Sequence, residues 1–220
     1  MNNVVIINYG SGNIKSVFNA IKTVVENKYE NVSVSSEARE IKNASHIILP
    51  GVGSFKSCVD GLKSIGIHEQ LNEIILHQKI PFLGICVGMQ MLATRGFEKG
   101  SFPGLNWIKG EVRKINIQDK KIKIPHMGWN KLNFKVENDF IKTLKRKINF
   151  KSEDEISAYF VHSYNFYVED EGERIMTTHY GEELSAMVCK ENIIGTQFHP
   201  EKSHYFGLAF LRTFIEQGKK

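Results

Sequence analysis

Short apolar runs interleaved with segments of helical period dominate the first half of the chain. The runs are residues 4–7, Val32 with Val34, residues 47–49 and residues 80–85. Gly10-Ser11-Gly12 follows the first, Pro50-Gly51-Val52-Gly53 closes the third, and the fourth runs straight into Cys86. Ile14, Val17, Phe18, Ile21 and Val25 recur at the spacing of one helix face, and Leu71, Ile74 and Ile75 mark another. Runs this short and apolar are buried on both faces. Alternation with helices places them in one parallel sheet. Ligands in such sheets sit at the carboxyl ends of the strands, which singles out the turns at Gly10, Pro50 and Cys86.

The second half changes character. Alternating segments at 112–117, 159–161, 166–168, 175–177 and 186–189 predict antiparallel strands, joined by turns such as Asp170-Glu171-Gly172-Glu173. A last apolar run, 193–198, leads into His199-Pro200-Glu201. The closing helix carries Phe206, Phe210, Leu211 and Phe214 on one face, with Ser203 as its predicted N-cap. The predicted class is therefore α/β: a flavodoxin-like, mostly parallel central sheet flanked by helices, with additional antiparallel strands in the second half. No repeat or linker interrupts the pattern. With 220 residues, 41% of them hydrophobic, residues 1–220 read as a single domain with a full core.

The formal charge of +5 is too even for a dedicated nucleic-acid binder. The only dense basic cluster is Lys142, Lys145, Arg146, Lys147 and Lys151. It reads as a solvated helix face and loop, with a contact to an acidic partner surface as the alternative. Three widely spaced cysteines, Cys58, Cys86 and Cys189, predict no disulfide framework and a reducing, cytoplasmic setting. The N-terminal run lacks the basic start and the length of a signal peptide, and no stretch approaches the ~18 apolar residues of a membrane span. Neither nucleic acid nor membrane is an expected partner.

One cysteine stands in a frame that makes it a nucleophile. Gly84-Ile85-Cys86-Val87-Gly88 lies between a strand and a predicted helix at 88–93, the strand–turn–helix context of a nucleophile elbow. The glycines permit the sharp turn, and the helix N-terminus favours thiolate. Cys58 and Cys189 have no such frame and read as structural. A cysteine nucleophile needs a base. In His199-Pro200-Glu201, an extended backbone would set positions i and i+2 on the same side, with Glu201 behind His199 to hold its tautomer. Acyl chemistry also needs an oxyanion site, and the glycines at 51 and 53 allow backbone N–H groups to serve as one. Without C-x-x-C or H-x-x-x-H spacing, neither a metal nor a cofactor is expected.

These motifs resemble the class I, triad-type glutamine amidotransferases. The carrying blocks are Leu83-Gly84-Ile85-Cys86-Val87-Gly88-Met89-Gln90 and Gln197-Phe198-His199-Pro200-Glu201. Four more blocks resemble the glutaminase subunits of imidazole glycerol phosphate synthases: Asn8-Tyr9-Gly10-Ser11-Gly12-Asn13, the Pro50 turn, Pro125-His126-Met127-Gly128-Trp129-Asn130 and Tyr159-Phe160-Val161-His162-Ser163-Tyr164. Val87, where the family often has leucine, is the one departure.

The resemblance implies hydrolysis of glutamine to glutamate and ammonia by Cys86, His199 and Glu201. Backbone donors near Gly51, Val52, Gly53 and Val87 would hold the oxyanion, and Gln90 the substrate. The ammonia would pass to a (β/α)8 synthase subunit in a heterodimer. That partner would make imidazole glycerol phosphate and aminoimidazole carboxamide ribotide in histidine biosynthesis. Asn13, Trp129, Tyr159 and Lys202 are the expected partner-facing residues. Three alternatives remain at this point: a paralogue supplying ammonia for amidination of a surface sugar, a non-catalytic stabilising module, and a stand-alone cysteine hydrolase.

Overall fold

The computed structural model describes residues 3–25, 31–119, 121–151 and 155–217. The first half follows the expected alternation. In chain order it consists of strand β1 (Asn3–Ile7), helix α1 (Ile14–Val25), β2 (Asn31–Ser35), α2 (Ala38–Lys42), β3 (His46–Gly51), α3 (Phe55–Ser64), α4 (His68–Asn72), β4 (Phe82–Cys86) and α5 (Val87–Gln90). Valine, isoleucine and leucine fill β1, β3 and β4, and nearly every residue of these strands is buried.

The second half contains β5 (Arg95–Gly96), β6 (Phe102–Pro103), β7 (Gly110–Lys114), β8 (His126–Lys131), β9 (Asn133–Phe134), α6 (Asp139–Lys147), β10 (Ser157–His162), β11 (Tyr164–Val168), β12 (Arg174–Tyr180), β13 (Glu182–Lys190), β14 (Ile193–Thr196) and α7 (His204–Ile215). The main sheet runs β2-β1-β3-β4-β14-β13-β12-β9. Its first five strands are parallel and the rest antiparallel. Two smaller sheets, β10-β8 and β11-β7-β5-β6, cover the side where the parallel strands end. Helix α1 packs on α7, and α3 on α5. Phe206, Phe210, Leu211 and Phe214 are all buried.

Several local expectations give way to tertiary contacts. The helix expected at 88–93 stops at Gln90, because a returning segment takes the next carbonyls. The N–H of Leu105 bonds Met91 O, that of Trp107 bonds Leu92 O, and that of Asn106 bonds Ala93 O. The fourth strand begins at Phe82, not at 80: Gln78 N–H donates to Glu73 O and closes a π-helical turn at Glu73–His77, and Ile80 N–H is then taken by Ile74 O. Ser203 occupies the N-cap position of α7 but does not cap it. Its hydroxyl instead donates to His199 O at 2.7 Å and accepts the Tyr159 N–H at 3.0 Å, tying the end of β14 to β10.

The basic cluster lies mainly on α6. Lys142 pairs with Asp139, Lys145 with Glu137 and Lys147 with Glu216. These are partly exposed contacts within the chain, as a solvated helix face makes. Among the described residues no helix is long and apolar enough to cross a membrane.

Candidate active site

Strands β3, β4 and β14 lie side by side and parallel, so their carboxyl ends open on one side. Gly51 of β3 is in register with Cys86 of β4, and Thr196 of β14 with Ile85. Sheet pairing alone therefore brings together Cys86, the Pro50–Gly53 turn and the segment carrying His199. They border a cavity of about 340 Å³, whose lining includes Val52, Gly53, Cys86, Val87, Gln90 and His199.

Cys86 sits at φ 56° and ψ −111°, a conformation that costs a non-glycine residue on the order of 1–3 kcal/mol. Close packing enforces it. A Cβ on Gly88 would stand 1.9 Å from Leu49 O, and one on Gly84 would stand 2.5 Å from Gly88 O. Only glycines let the strand and the following helix approach so closely around the cysteine.

His199 has extended dihedrals, φ −95° and ψ 99°, as the following proline demands. Beyond it the chain turns as a 3-10 segment, Pro200–Lys202, and not as the extended strand expected from the sequence. The predicted contact forms by this other route: His199 Nδ1 lies 2.8 Å from Glu201 Oε1. His199 Nε2 is buried without a conventional hydrogen-bond partner. Burial pushes the ring down, but the Cys86 thiol and the Glu201 carboxylate outweigh it and raise the ring from 6.5 to about 10. An imidazolium is favoured between a sulfur and a carboxylate. Burial pushes the Cys58 and Cys189 thiols up, that of Cys189 to about 11.

The Pro50 turn is gripped from the Asn8–Asn13 segment. Tyr9 Oη donates to Pro50 O at 2.7 Å. Ser11 Oγ donates to Val52 O at 2.6 Å and accepts the Val52 N–H at 3.2 Å. The Val52 amide, expected as an oxyanion donor, is thus engaged with Ser11 in this structure. Glu98 also lines the cavity, and its Oε2 accepts the Phe55 N–H at the start of α3 at 2.7 Å. His162 and Tyr164 line the opposite wall. Gln197 Nε2 lies 3.6 Å from Cys86 Sγ. Sequence reasoning assigned no role to Glu98, His162, Tyr164 or Gln197. Of these, only Glu98 stands outside every motif block.

The four expected partner-facing residues form one neighbourhood. Trp129 is in register with Tyr159 and meets it edge-on. Lys202 Nζ stands over the Tyr159 ring at 5.6 Å. Asn13 Nδ2 donates to Glu201 Oε1 at 3.5 Å. Trp129 is 47% exposed and lies flat on His204, with ring centroids 4.8 Å apart. It is not a core residue. His204 itself sits at φ 47°, a position sequence reasoning did not single out.

A strained cysteine at a strand–helix turn, faced by a His–Glu pair, defines a class of protein, and the sequence profile of that class matches. The profile described as glutamine amidotransferase class-I covers residues 5–217, and the chain belongs to that family. Within it, the chain belongs with the HisH subunits of imidazole glycerol phosphate synthase. It is 45% identical to the "Imidazole glycerol phosphate synthase subunit HisH" of Pelagibacter ubique, across 97% of this chain and 99% of that one. It is 42% identical to the protein of the same name from Leptospira borgpetersenii, across 95% and 97%. Solved structures share the fold at lower identity. One described as a glutamine amidotransferase superposes with a TM-score of 0.69 at 17% identity, covering 96% of this chain and 99% of that one. PurLQS from Thermotoga maritima gives 0.66 at 17%, covering 97% of each chain.

Proposed function

We propose that this chain is the glutaminase subunit of a cytoplasmic imidazole glycerol phosphate synthase, its residues 1–220 forming one amidotransferase domain. It hydrolyses glutamine and supplies ammonia for histidine biosynthesis. The observation that carries the reading is the strained Cys86 beside the His199–Glu201 pair. Names of the relatives favour this pathway over amidination of a surface sugar.

Cys86 attacks the side-chain amide carbon of glutamine. The negative charge moves to the carbonyl oxygen, beside the first amide of α5 at Val87. His199, held by Glu201, protonates the departing ammonia and then activates the water that opens the γ-glutamyl thioester. Glu98 supplies a carboxylate for the α-ammonium group of the substrate, and Gln90 and Gly53 border the same space. The oxyanion site is complete only when the Val52 peptide leaves Ser11 and turns its N–H to the cavity. A rotation of this kind is the natural place for activation by a partner.

The partner is a (β/α)8 synthase subunit in a heterodimer. Its docking face comprises Asn13, Trp129, Tyr159 and Lys202. An exposed tryptophan stacked on a second ring and flanked by a lysine–tyrosine contact has the composition of an interface anchor. Docking there seals the path of ammonia, which would otherwise be protonated and lost in water.

The test is synthesis by the reconstituted complex with glutamine or with ammonia as nitrogen source. Cys86→Ala is expected to remove glutamine-dependent synthesis and to leave ammonia-dependent synthesis intact. Retention of glutamine-dependent synthesis by that variant would end the nucleophile assignment.

A further inference from the structure

A chain of polar groups leads from the Cys86 sulfur to strand β8, and the hydrolysis scheme gives no role to the contact of Gln197 with the sulfur. Gln197 Nε2 donates to Cys86 Sγ at 3.6 Å. Gln197 Oε1 accepts from Gln90 Nε2 at 2.9 Å, and Gln90 Nε2 also donates to Tyr164 O at 3.3 Å. The same carbonyl accepts from His162 Nδ1 at 2.8 Å. His162 Nε2 meets His126 Nδ1 at 2.9 Å, and His126 Nε2 meets Asn130 Nδ2 at 3.1 Å. Asn130 Nδ2 donates in turn to His179 O at 2.9 Å.

Elementary donor–acceptor rules fix the direction of every link. Backbone carbonyls only accept, so Tyr164 O requires the proton of His162 on Nδ1. Burial keeps both rings uncharged at neutral pH, pushing His126 down to about 4 and His162 to about 3. Each ring then carries a single N–H. His162 Nε2 is therefore an acceptor, His126 Nδ1 donates to it, and His126 Nε2 accepts from Asn130. Asn130 must present nitrogen here, as its bond to His179 O also demands. On the other side of Tyr164 O, Gln90 must present nitrogen as well. Its remaining N–H goes to Gln197 Oε1, which leaves Gln197 showing N–H, and not oxygen, to the sulfur. Reversing any amide sets like against like.

We propose that Gln197 is a catalytic residue whose amide N–H stabilises the Cys86 sulfur anion, and that Gln90, oriented by the Tyr164 carbonyl, is the positioning residue that fixes which end of that amide faces the sulfur. The inference rests on the assignment of Cys86 as the nucleophile. The S–C bond forms as ammonia departs with a proton from His199. It breaks as water adds, and the charge returns to sulfur. Gln197 favours the charged sulfur before the first step and after the last. Asn130, the far end of the chain, neighbours the exposed Trp129.

The test is the pH profile of Cys86 alkylation by iodoacetamide, resolved peptide by peptide to separate it from Cys58 and Cys189. Titratable groups around the Cys86 thiol include His199, Tyr9 and Cys58, with Glu98, His162 and Tyr164 lining the same cavity, and none is altered in the variants. Gln197→Glu keeps the shape and sets a carboxylate against the sulfur. Its profile is expected to move up by at least about one pH unit, slowing alkylation about tenfold at pH values below both midpoints. Gln197→Met, which only removes the donor, is expected to shift it in the same direction by less. Gln90→Met removes the donor that holds Gln197 Oε1 and frees the Gln197 amide to turn its oxygen to the sulfur. A slowing of about threefold is expected there, from the same relation between thiolate fraction and rate.

Folded Gln197 variants with the wild-type profile would overturn the donor role. An unchanged profile in Gln90→Met would overturn the positioning role, and this variant carries the test if the Gln197 variants do not fold. Alkylation needs no glutamine. Failure of the wild-type complex to release ammonia would refute the proposed function and leave the alkylation result standing.

Discussion

Two turns close neighbouring strands, β3 and β4, and open on the same cavity, yet they are held by different forces. The elbow at Cys86 is set by steric necessity. Its two glycines are pressed against backbone, and no side chain at either position avoids a collision. The Pro50 turn begins in the same way, since a Cβ on Gly51 would stand 2.7 Å from Gly88 N. Two residues on, the constraint is gone. Gly53 has φ +97° with open space where a Cβ would be, and Val52 is 43% exposed. Hydrogen bonds to the Ser11 hydroxyl hold the Val52 peptide. Packing cannot be exchanged for water, whereas a hydrogen bond at an exposed peptide can. The molecule therefore keeps Cys86, the proposed nucleophile, fixed and the Val52 amide, the proposed oxyanion donor, adjustable.

Alanine at each glycine separates the two kinds of hold. Gly88→Ala is expected to cost about 3 kcal/mol or more of unfolding free energy by overpacking against Leu49 O. Denaturant melts would report it as a lower midpoint. Gly53→Ala meets no atom and carries only the penalty of a positive φ, on the order of 1–2 kcal/mol. Equal losses at the two sites would erase the contrast. Ser11→Ala probes the adjustable turn directly. Freed from the hydroxyl, the Val52 peptide samples the cavity-facing orientation more often. Glutamine hydrolysis by the isolated chain should rise about fivefold, the equivalent of one lost hydrogen bond of about 1 kcal/mol. The partner-saturated rate should change less. A fall in the basal rate would place Ser11 among the groups that assist catalysis.

The smallest expected effect concerns the base that faces the fixed turn. In the folded protein His199 is raised from 6.5 to about 10, so folding favours its protonated form. That stabilisation is complete below the unfolded value and is lost as pH rises through the folded one. The melting temperature of wild type should exceed that of Glu201→Gln most below pH 6.5, and the gap should narrow through about pH 10. A gap that widens with pH would contradict a charged His199.

Local chemistry reached far into this site. The glycines around Cys86 announce a forced turn, and Pro200 announces an extended His199. Both follow from the steric limits of single residues. Where two distant segments compete for the same backbone groups, the local reading failed. The helix after Cys86 ends early because residues 105–107 take its carbonyls. Ser203 leaves its cap position to bond His199 O and Tyr159 N. Glu98 lies in no motif, and only the folding of β5 and β6 beside α3 brings it to the cavity.

The sequence by itself determined the alternation of strands and helices, the turns that end them and which cysteine, histidine and carboxylate are proposed as nucleophile, base and its partner. Each follows from periodicity or from a residue's own stereochemistry. Only the tertiary structure decided that β14 returns to lie beside β4, which sets His199 near Cys86. It alone decided that the Val52 amide rests on Ser11, and that the Tyr164 carbonyl on β11 gives direction to the two amides that lead to the sulfur. Hydrogen bonds between residues far apart in the chain have no periodicity to be read. Their direction is set by a backbone acceptor that only folding brings to them.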